Sequence, residues 1–357
     1  MIEVSPDLLT FADGRPVQAV DWEKRREELF SAIIPHEYGG MPPAGTKTVG
    51  VLLCDAAIRS LPGVTYRTCE VRTTFAEGGE LSFHLNLWIP PGEGPFPVIL
   101  DGDGCWRYFD DDIVKSVLAR GNIAASFNRT AVAADNKDNY RDTGIYRLFP
   151  EAEFGVLSTW AWGYHRCVDV LSQLDAVHAD QIAITGHSRG GKTVLLAGAT
   201  DQRIAVTNPN DSGIGGSGLN HWKCERSEVV DDFIRVGSIF WFGKGFAEYQ
   251  HRDREIPYDQ HFLHGLVAPR ALLVNEAYED PGANPPGSYA SCRAAFPVYE
   301  MLGAKDRLGW ALREGGHGHR PADFEALLDF TDRHFHGRSV RRDFQRELFP
   351  QLDELLS

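Results

Sequence analysis

The sequence predicts an α/β fold: a mostly parallel sheet covered by helices on both faces, entered through an N-terminal antiparallel hairpin. Three observations predict it. From about Pro97 onward, short apolar runs ("FPVILDGDG", "GNIAASFN", "QIAITGHS", "RIAVTNPNDSG", "PRALLVNEAYED", "GWALREGGHGH") alternate with helical patterns ("IVKSVLARG", "TWAWGYHRCVDVLSQL", "KTVLLAGAT", "FEALLDFTDRHF"). Continuous apolar strands between helices are what a parallel sheet buried on both faces requires. Polar and glycine-rich residues gather after each strand, where such sheets bind ligands. Before Pro97, "VTYRTCEVRTTF" and "LSFHLNLWIP" flank the turn-rich "AEGGE", and Leu81, Phe83, Leu85 and Leu87 alternate as in a half-buried antiparallel strand.

The first helix is expected from Asp21, whose carboxylate can accept from an N–H of the first turn. Glu23 suits the positive end of the helix dipole, while Lys24 rules out a full capping box. Trp22, Leu29, Phe30 and Ile33 form its apolar stripe, and Pro35 with Gly39-Gly40 is expected to end it. No repeat, low-complexity segment or linker divides the 357 residues. The expectation is one domain over 1–357: helix and antiparallel strands in 1–95, a catalytic core in 96–337, and a tail in 338–357.

Composition excludes several function classes. A net charge of −14 argues against nucleic acid and anionic membranes as partners, and no run of 18 apolar residues exists to span a bilayer. "MIEVSPDLLTFADGRP" has no basic start followed by an apolar core, so no signal peptide is visible. A cytoplasmic chain and a mature exported form would both look this way. The six cysteines (Cys54, Cys69, Cys105, Cys167, Cys224, Cys292) lack C-x-x-C spacing and read as reduced or buried thiols. His317, His319, His334 and His336 have no carboxylate at ligand spacing, so no metal is expected, and the last two read as surface residues. No cofactor is implied.

The chemistry centres on "ITGHSRGGKTVLLAGAT". Gly186-His187-Ser188-Arg189-Gly190 fits the G-x-S-x-G nucleophile elbow, with the strand "QIAIT" before it and a helix after it. A serine hydroxyl becomes nucleophilic when a histidine takes its proton, and that histidine needs a carboxylate to fix its tautomer. The α/β-hydrolase order of serine, acid, histidine is met by Ser188, Asp280 and His317. His317 is preferred over His319 because Gly315, Gly316 and Gly318 leave room for its ring. Asp211 is a second acid candidate, with an Asx turn at Ser212-Gly213 as the alternative. The Arg189 N–H and the loop "DGDGCW" stand where oxyanion donors belong. The Arg189 guanidinium would lie beside the nucleophile or pair with an acid, and Lys192 would reach a substrate or only solvent. Trp160, Trp162 and Trp241 are aromatic enough to line a sugar site, but the default reading is core.

The chain resembles carbohydrate esterase family 15, the glucuronoyl esterases, and their bacterial relatives. The resemblance runs in order through "LLTFADGRPVQAVDWEKRREELFSAIIPHEYGGMPP", "GVLSTWAWGYHRCVDVLSQL", "TGHSRGGKTVLLAGATDQRIAV", "IPYDQHFLHGLVAPRALLV" and "GGHGHRPADFEALLDF". It implies an α/β-hydrolase fold, a three-layer sandwich, with Ser188 as nucleophile and His317 as base. It implies that Arg189 helps hold the oxyanion, that Lys192 bonds sugar hydroxyls, and that Asp211 and Asp280 occupy two acid positions. Fungal members pair two cysteines where this chain has His187 and Gly318, so that disulfide is absent. The expected activity is hydrolysis of a sugar-acid ester, such as a glucuronate ester of xylan. An acetyl xylan esterase or general small-ester hydrolase is the nearest alternative, and a non-catalytic binding protein on the same fold the alternative from another class.

Overall fold

The computed structural model describes residue 4 and residues 6–352. Its strands are β1 (Lys47–Ala57), β2 (Thr65–Thr74), β3 (Glu80–Ile89), β4 (Phe96–Asp101), β5 (Ile123–Phe127), β6 (Val177–His187), β7 (Val206–Asn210), β8 (Ala271–Ala277) and β9 (Leu308–Arg313). They form one sheet in the order β1-β2-β3-β5-β4-β6-β7-β8-β9. β1, β2, β3 and β5 pair antiparallel. From β5 onward every neighbouring pair is parallel. The expected hairpin is β2–β3, in register from Thr65↔Ile89 to Thr74↔Glu80.

The helices are α1 (Trp22–Tyr38), α2 (Asp111–Ala119), α3 (Val156–Leu171), α4 (Arg189–Thr200), α5 (Val230–Val236), α6 (His261–Val267), α7 (Pro285–Met301) and α8 (Pro321–His336). Successive strand residues point to opposite faces, and the sheet core divides accordingly. Val98, Leu100, Ile182, Ile184, Leu272 and Val274 join the side chains of α3, α4, α6 and α7. Ile99, Ala183 and Leu273 face the other way, onto α2 and α8. The result is the three-layer α/β-hydrolase arrangement. Trp160 and Trp162 lie in the core, their indole N–H groups donating to Ala133 O at 2.8 Å and Pro43 O at 2.7 Å. No helix among the described residues is long and apolar enough to cross a membrane, and all six cysteines are free thiols.

Five details differ from the sequence expectation. Asp21 makes no side-chain cap bond, because a 3₁₀ turn at Ala19–Asp21 already gives it helical dihedrals (φ −92°, ψ −3°) where a capping side chain needs extended ones. Pro35 lies inside α1, and Gly39 at φ 72° ends the helix. Strand β1 carries no alternating apolar signal because it is an exposed edge, with Leu52 and Leu53 about half exposed. The prolines and glycine of "NPPG" disguised the start of α7. Asn284 caps it through Gly287 N at 3.3 Å, and Pro285 takes the first helical position, where an N–H is not needed. His334 and His336 are half-buried rather than surface residues, and His336 Nε2 meets Asn122 Oδ1 at 3.0 Å.

The last turn of α1 anchors the N-terminal segment through a buried acid. Both oxygens of Glu37 accept from Gln260 Nε2 at 2.9 Å, and Tyr38 Oη donates to Gly215 O at 3.0 Å. Burial pushes the Glu37 carboxyl up to about 8, with the Gln260 bonds opposing. Between the ordinary carboxylate value and pH 8 the folded chain therefore holds a proton that the unfolded chain has lost. Stability then falls as pH rises through that window, by up to about 1.4 kcal/mol per pH unit from this group. Glu37→Gln should flatten that fall, matching the parent's Tm near pH 5 and exceeding it near pH 8. Parallel Tm curves for the two proteins would refute the assignment.

Candidate active site

β6 runs directly into Ser188, and α4 begins at the next residue. Ser188 sits at φ 58°, ψ −121°, a conformation that costs a side-chain-bearing residue and persists only where its surroundings enforce it. The glycines explain how the turn fits. A Cβ on Gly186 would lie 2.8 Å from Gly190 O, and one on Gly191 would lie 2.6 Å from Asn210 O. Ser188 N donates to Asn210 O at 2.9 Å, and His187 N to Asp103 Oδ2 at 2.7 Å. Asp103 is fully buried and ion-paired with Arg129, whose guanidinium lies 4.7 Å from the centre of the Trp160 ring.

Asp103 belongs to the loop after β4, and most N–H groups of that loop are taken. Gly102 N donates to Tyr164 Oη at 2.8 Å, Asp103 N to Asp101 Oδ2 at 3.0 Å and Gly104 N to Phe127 O at 3.1 Å. Trp106 N and Arg107 N both donate to Asp103 O, at 2.7 and 3.1 Å. Among the described residues, the Cys105 N–H has no partner in another residue. The Arg189 N–H is free for a different reason, since it opens α4 and a helix leaves its first N–H groups unbonded.

His317 follows β9, and its Nδ1 lies 2.6 Å from Asp280 Oδ2 in the turn after β8. That bond fixes the proton on Nδ1 and leaves Nε2 as the basic nitrogen. It also pushes the His317 pKa above the ordinary histidine value, against a smaller opposing effect of burial. The ring of His187 lies 4.4 Å from that of His317 and 5.1 Å from that of Tyr108. His187 Nδ1 meets Asn210 Oδ1 at 2.6 Å, and burial pushes this ring down to about 3, so it stays neutral beside the base. His319 is buried, its ring stacked 4.0 Å from Phe324.

Asp211 is placed differently. It directly follows β7, but its Oδ2 accepts from Arg313 Nη2 at 3.0 Å and Gly318 N at 3.3 Å, not from Ser212 or Gly213. The Asx-turn alternative is therefore not what forms. Burial pushes the Asp211 carboxyl up to about 7, with the Arg313 guanidinium opposing. His187, Asp211 and His317 bring three ligand-type atoms within 4.8 Å of one another. The Arg313 guanidinium on Asp211 and the Asn210 bond on His187 occupy two of these groups and make the cluster a poor cation site.

Arg189 both faces the nucleophile and pairs with an acid. Its Nη1 donates to Asp135 Oδ2 at 2.8 Å, and its guanidinium lies 4.5 Å from Trp241 and 5.5 Å from Trp106. Trp241 Nε1 donates to the other oxygen of Asp135 at 2.9 Å, so one carboxylate orients both partners. Lys192 is buried, and its three donors meet Ser212 O at 2.6 Å, Ile214 O at 2.8 Å and Glu228 Oε2 at 3.1 Å. These three acceptors engage all three donors of the ammonium and tie Lys192 to the protein rather than to solvent. Ser188, His317, Arg189, His187, Trp106 and Tyr108 line one cavity of about 230 Å³. Asp103, Asp135, Tyr108 and the packing role of His187 were not read from the sequence. Asp135 lies 54 positions from Arg189, and no local pattern announces it.

Comparison with known proteins places the chain in a family. A family model described as fungal glucuronyl esterase matches residues 73–303. A 4-O-methyl-glucuronoyl methylesterase from Schizophyllum commune is 31% identical over 95% of this chain and 84% of its own length. The chain belongs to the glucuronoyl esterase family. Among solved family 15 glucuronoyl esterases, that of Caldicellulosiruptor kristjansonii superposes with a TM-score of 0.85 at 32% identity, covering 98% of this chain and 95% of its own. A glucuronoyl esterase variant from Sporotrichum thermophile, solved in complex with methyl 4-O-methyl-β-D-glucopyranuronate, superposes with a TM-score of 0.77 at 25% identity, covering 94% and 88%. Where the fungal resemblance would place a disulfide, this glucuronoyl esterase-family chain packs the His187 ring on His317.

The two acids can be separated by titration. Asp280 raises the His317 pKa through a direct bond and Asp211 only through space. Asp280→Asn should therefore lower the His317 pKa, followed by NMR of the ring protons, more than Asp211→Asn does. The reverse order would exchange their roles.

Proposed function

We propose that the chain is a serine carboxylic-ester hydrolase that cleaves the ester of a sugar acid, such as a glucuronate ester of xylan. One observation carries the reading: Ser188 on its strained turn, and His317 held 2.6 Å from Asp280, open onto the same small cavity beside Arg189. A family structure solved with a methyl glucuronate supports the substrate class.

In this reading His317 Nε2 takes the Ser188 proton as Oγ attacks the ester carbonyl. Asp280 stabilises the imidazolium without itself being protonated. The oxyanion forms between the Arg189 and Cys105 N–H groups, with the Arg189 guanidinium adding charge in a half-enclosed site. Fixed donors of this kind contribute about 3–4 kcal/mol each to transition-state stabilisation. His317 then protonates the departing alcohol, and a water activated by the same nitrogen hydrolyses the acyl-enzyme. Asp211 serves as a support: it ties Gly318 and Arg313 together, which holds the histidine loop against β7. Lys192 is likewise a support, joining the backbone at 212–214 to Glu228, whose carboxylate is partly exposed.

Ser188→Ala should keep the fold and retain under about a thousandth of the parent's turnover of methyl glucuronate. The parent should cleave methyl glucuronate with higher kcat/KM than acetylated xylan, because a ring-bearing acyl group gives the site something to position. If acetylated xylan is the better substrate, the sugar-acid reading fails and the esterase reading survives. Because His317 must be neutral to act and its pKa is raised, kcat/KM should rise with pH through a midpoint above the ordinary histidine value.

A further inference from the structure

The loop after β4 has two faces. Trp106 and Tyr108 line the cavity of Ser188, whereas Gly104, Arg107 and Phe109 line a second cavity of about 670 Å³ on its far side. Arg107 stands at φ 58°, a left-handed conformation that only a constrained non-glycine residue keeps. That turn reverses the side-chain direction between neighbours and delivers a guanidinium into the second cavity.

Free polar groups meet an aromatic ring there. Trp88 and Asn86 reach the cavity from β3, and Asp111 from the start of α2. The Trp88 ring is braced by Tyr66 at 5.2 Å between centroids. Asn86 Oδ1 accepts from Tyr66 Oη and Thr68 Oγ1, both at 2.9 Å, which turns its NH₂ group outward. The Asn86 NH₂, the Arg107 guanidinium and the Asp111 carboxylate have no side-chain partner among the described residues. The remaining charges are committed: Asp110 accepts from Asp112 N and Ile113 N at 3.0 Å, and Asp112 pairs with Lys115 at 2.8 Å.

We propose that this second cavity is a carbohydrate subsite for an uncharged stretch of the polysaccharide whose esterified sugar lies at Ser188. The proposal rests on the sugar-acid esterase reading for the link between the two sites. Its volume lies within the range of small-ligand sites. A half-buried indole offers an apolar face to the C–H side of a sugar ring. Donors from Asn86 and Arg107 and an acceptor from Asp111 suit vicinal hydroxyls, which both donate and accept. Three aspartates outnumber the two cations of the cavity, Arg107 and Lys115, and disfavour an acidic sugar, so the occupant is neutral. The loop between the cavities carries the unpartnered Cys105 N–H, so a chain seated in the second cavity borders the backbone that forms the oxyanion site.

The test uses Arg107→Ala and Asp111→Asn, both exposed, with Trp88→Phe as a third variant in case either disturbs the loop. Each is assayed on methyl glucuronate and on a methyl glucuronate borne by a neutral xylo-oligosaccharide. Binding of the same oligosaccharide without its ester is measured calorimetrically on the Ser188→Ala protein, with and without Arg107→Ala. A charged hydrogen bond lost from the subsite should raise KM for the oligosaccharide-borne ester about tenfold and weaken ester-free binding about as much. The small ester should stay within about twofold. Equal losses on both esters would mean that the variants damage the oxyanion loop and would overturn the subsite. Unchanged KM on both would overturn it as well. If no ester is hydrolysed by the parent, yet Arg107→Ala still weakens ester-free binding, the esterase reading falls and the carbohydrate site stands.

Discussion

Ser188 can hold its left-handed turn because every neighbouring group leaves it no relaxed alternative, and the rest of the site is arranged around that constraint. Asn210 O holds its own N–H, Asp103 holds that of His187, and Gly186 and Gly191 leave no volume into which the chain could slacken. A strained residue of this kind stores about 1–3 kcal/mol. The hydrogen bond to the Asp103 carboxylate, which is paired with Arg129, contributes a comparable amount, about 1.5–3 kcal/mol. Asp103 also joins two pieces of the machinery. It carries the oxyanion loop on its own backbone and the nucleophile's neighbour on its carboxylate, with Arg129 balancing its charge in the dry interior. Loss of Asp103 would orphan Arg129, which is why a buried pair resists piecemeal change.

Around the turn, charge is directed rather than accumulated. His317 is raised by Asp280, while its neighbour His187 is kept neutral by burial, so two imidazoles 4.4 Å apart do not repel when one becomes protonated. Arg189 is shared between Asp135 and two indoles. A cation over an aromatic face gains about 0.5–2 kcal/mol, and the Asp135 bond fixes which edge of the guanidinium turns to the cavity. Packing against His187 occupies the place that the fungal resemblance gives to a disulfide. The constraint on the histidine loop is therefore non-covalent here, assisted by Asp211 bridging Arg313 and the Gly318 N–H.

The parallel strands from β4 to β9 were legible because burial on both faces forces continuous apolar runs, and the hairpin β2–β3 because one half-buried face forces alternation. Edge strand β1 was not, since an exposed strand is under neither demand. The candidate nucleophile, base and acids were legible for a different reason. In this fold each sits within four residues of the end of a strand, so chain order and turn residues reveal them. The partners that orient them come from distant segments, and nothing near Asp135 or Asp103 in the sequence marks them as partners of Arg189 and His187.

By itself the sequence determined the architecture, the elbow at Ser188 and the identities of the candidate triad residues. Periodicity and strand-end chemistry are local properties, and a chain displays them before it folds. Only the tertiary structure decided which of two aspartates touches His317, because both follow adjacent parallel strands and differ only in where their loops arrive: Asp280 at 2.6 Å from Nδ1, Asp211 on Arg313. It likewise decided that Lys192 faces inward. A lysine one turn into a helix can point to substrate or to protein, and three carbonyl and carboxylate oxygens within 3.1 Å settle the direction.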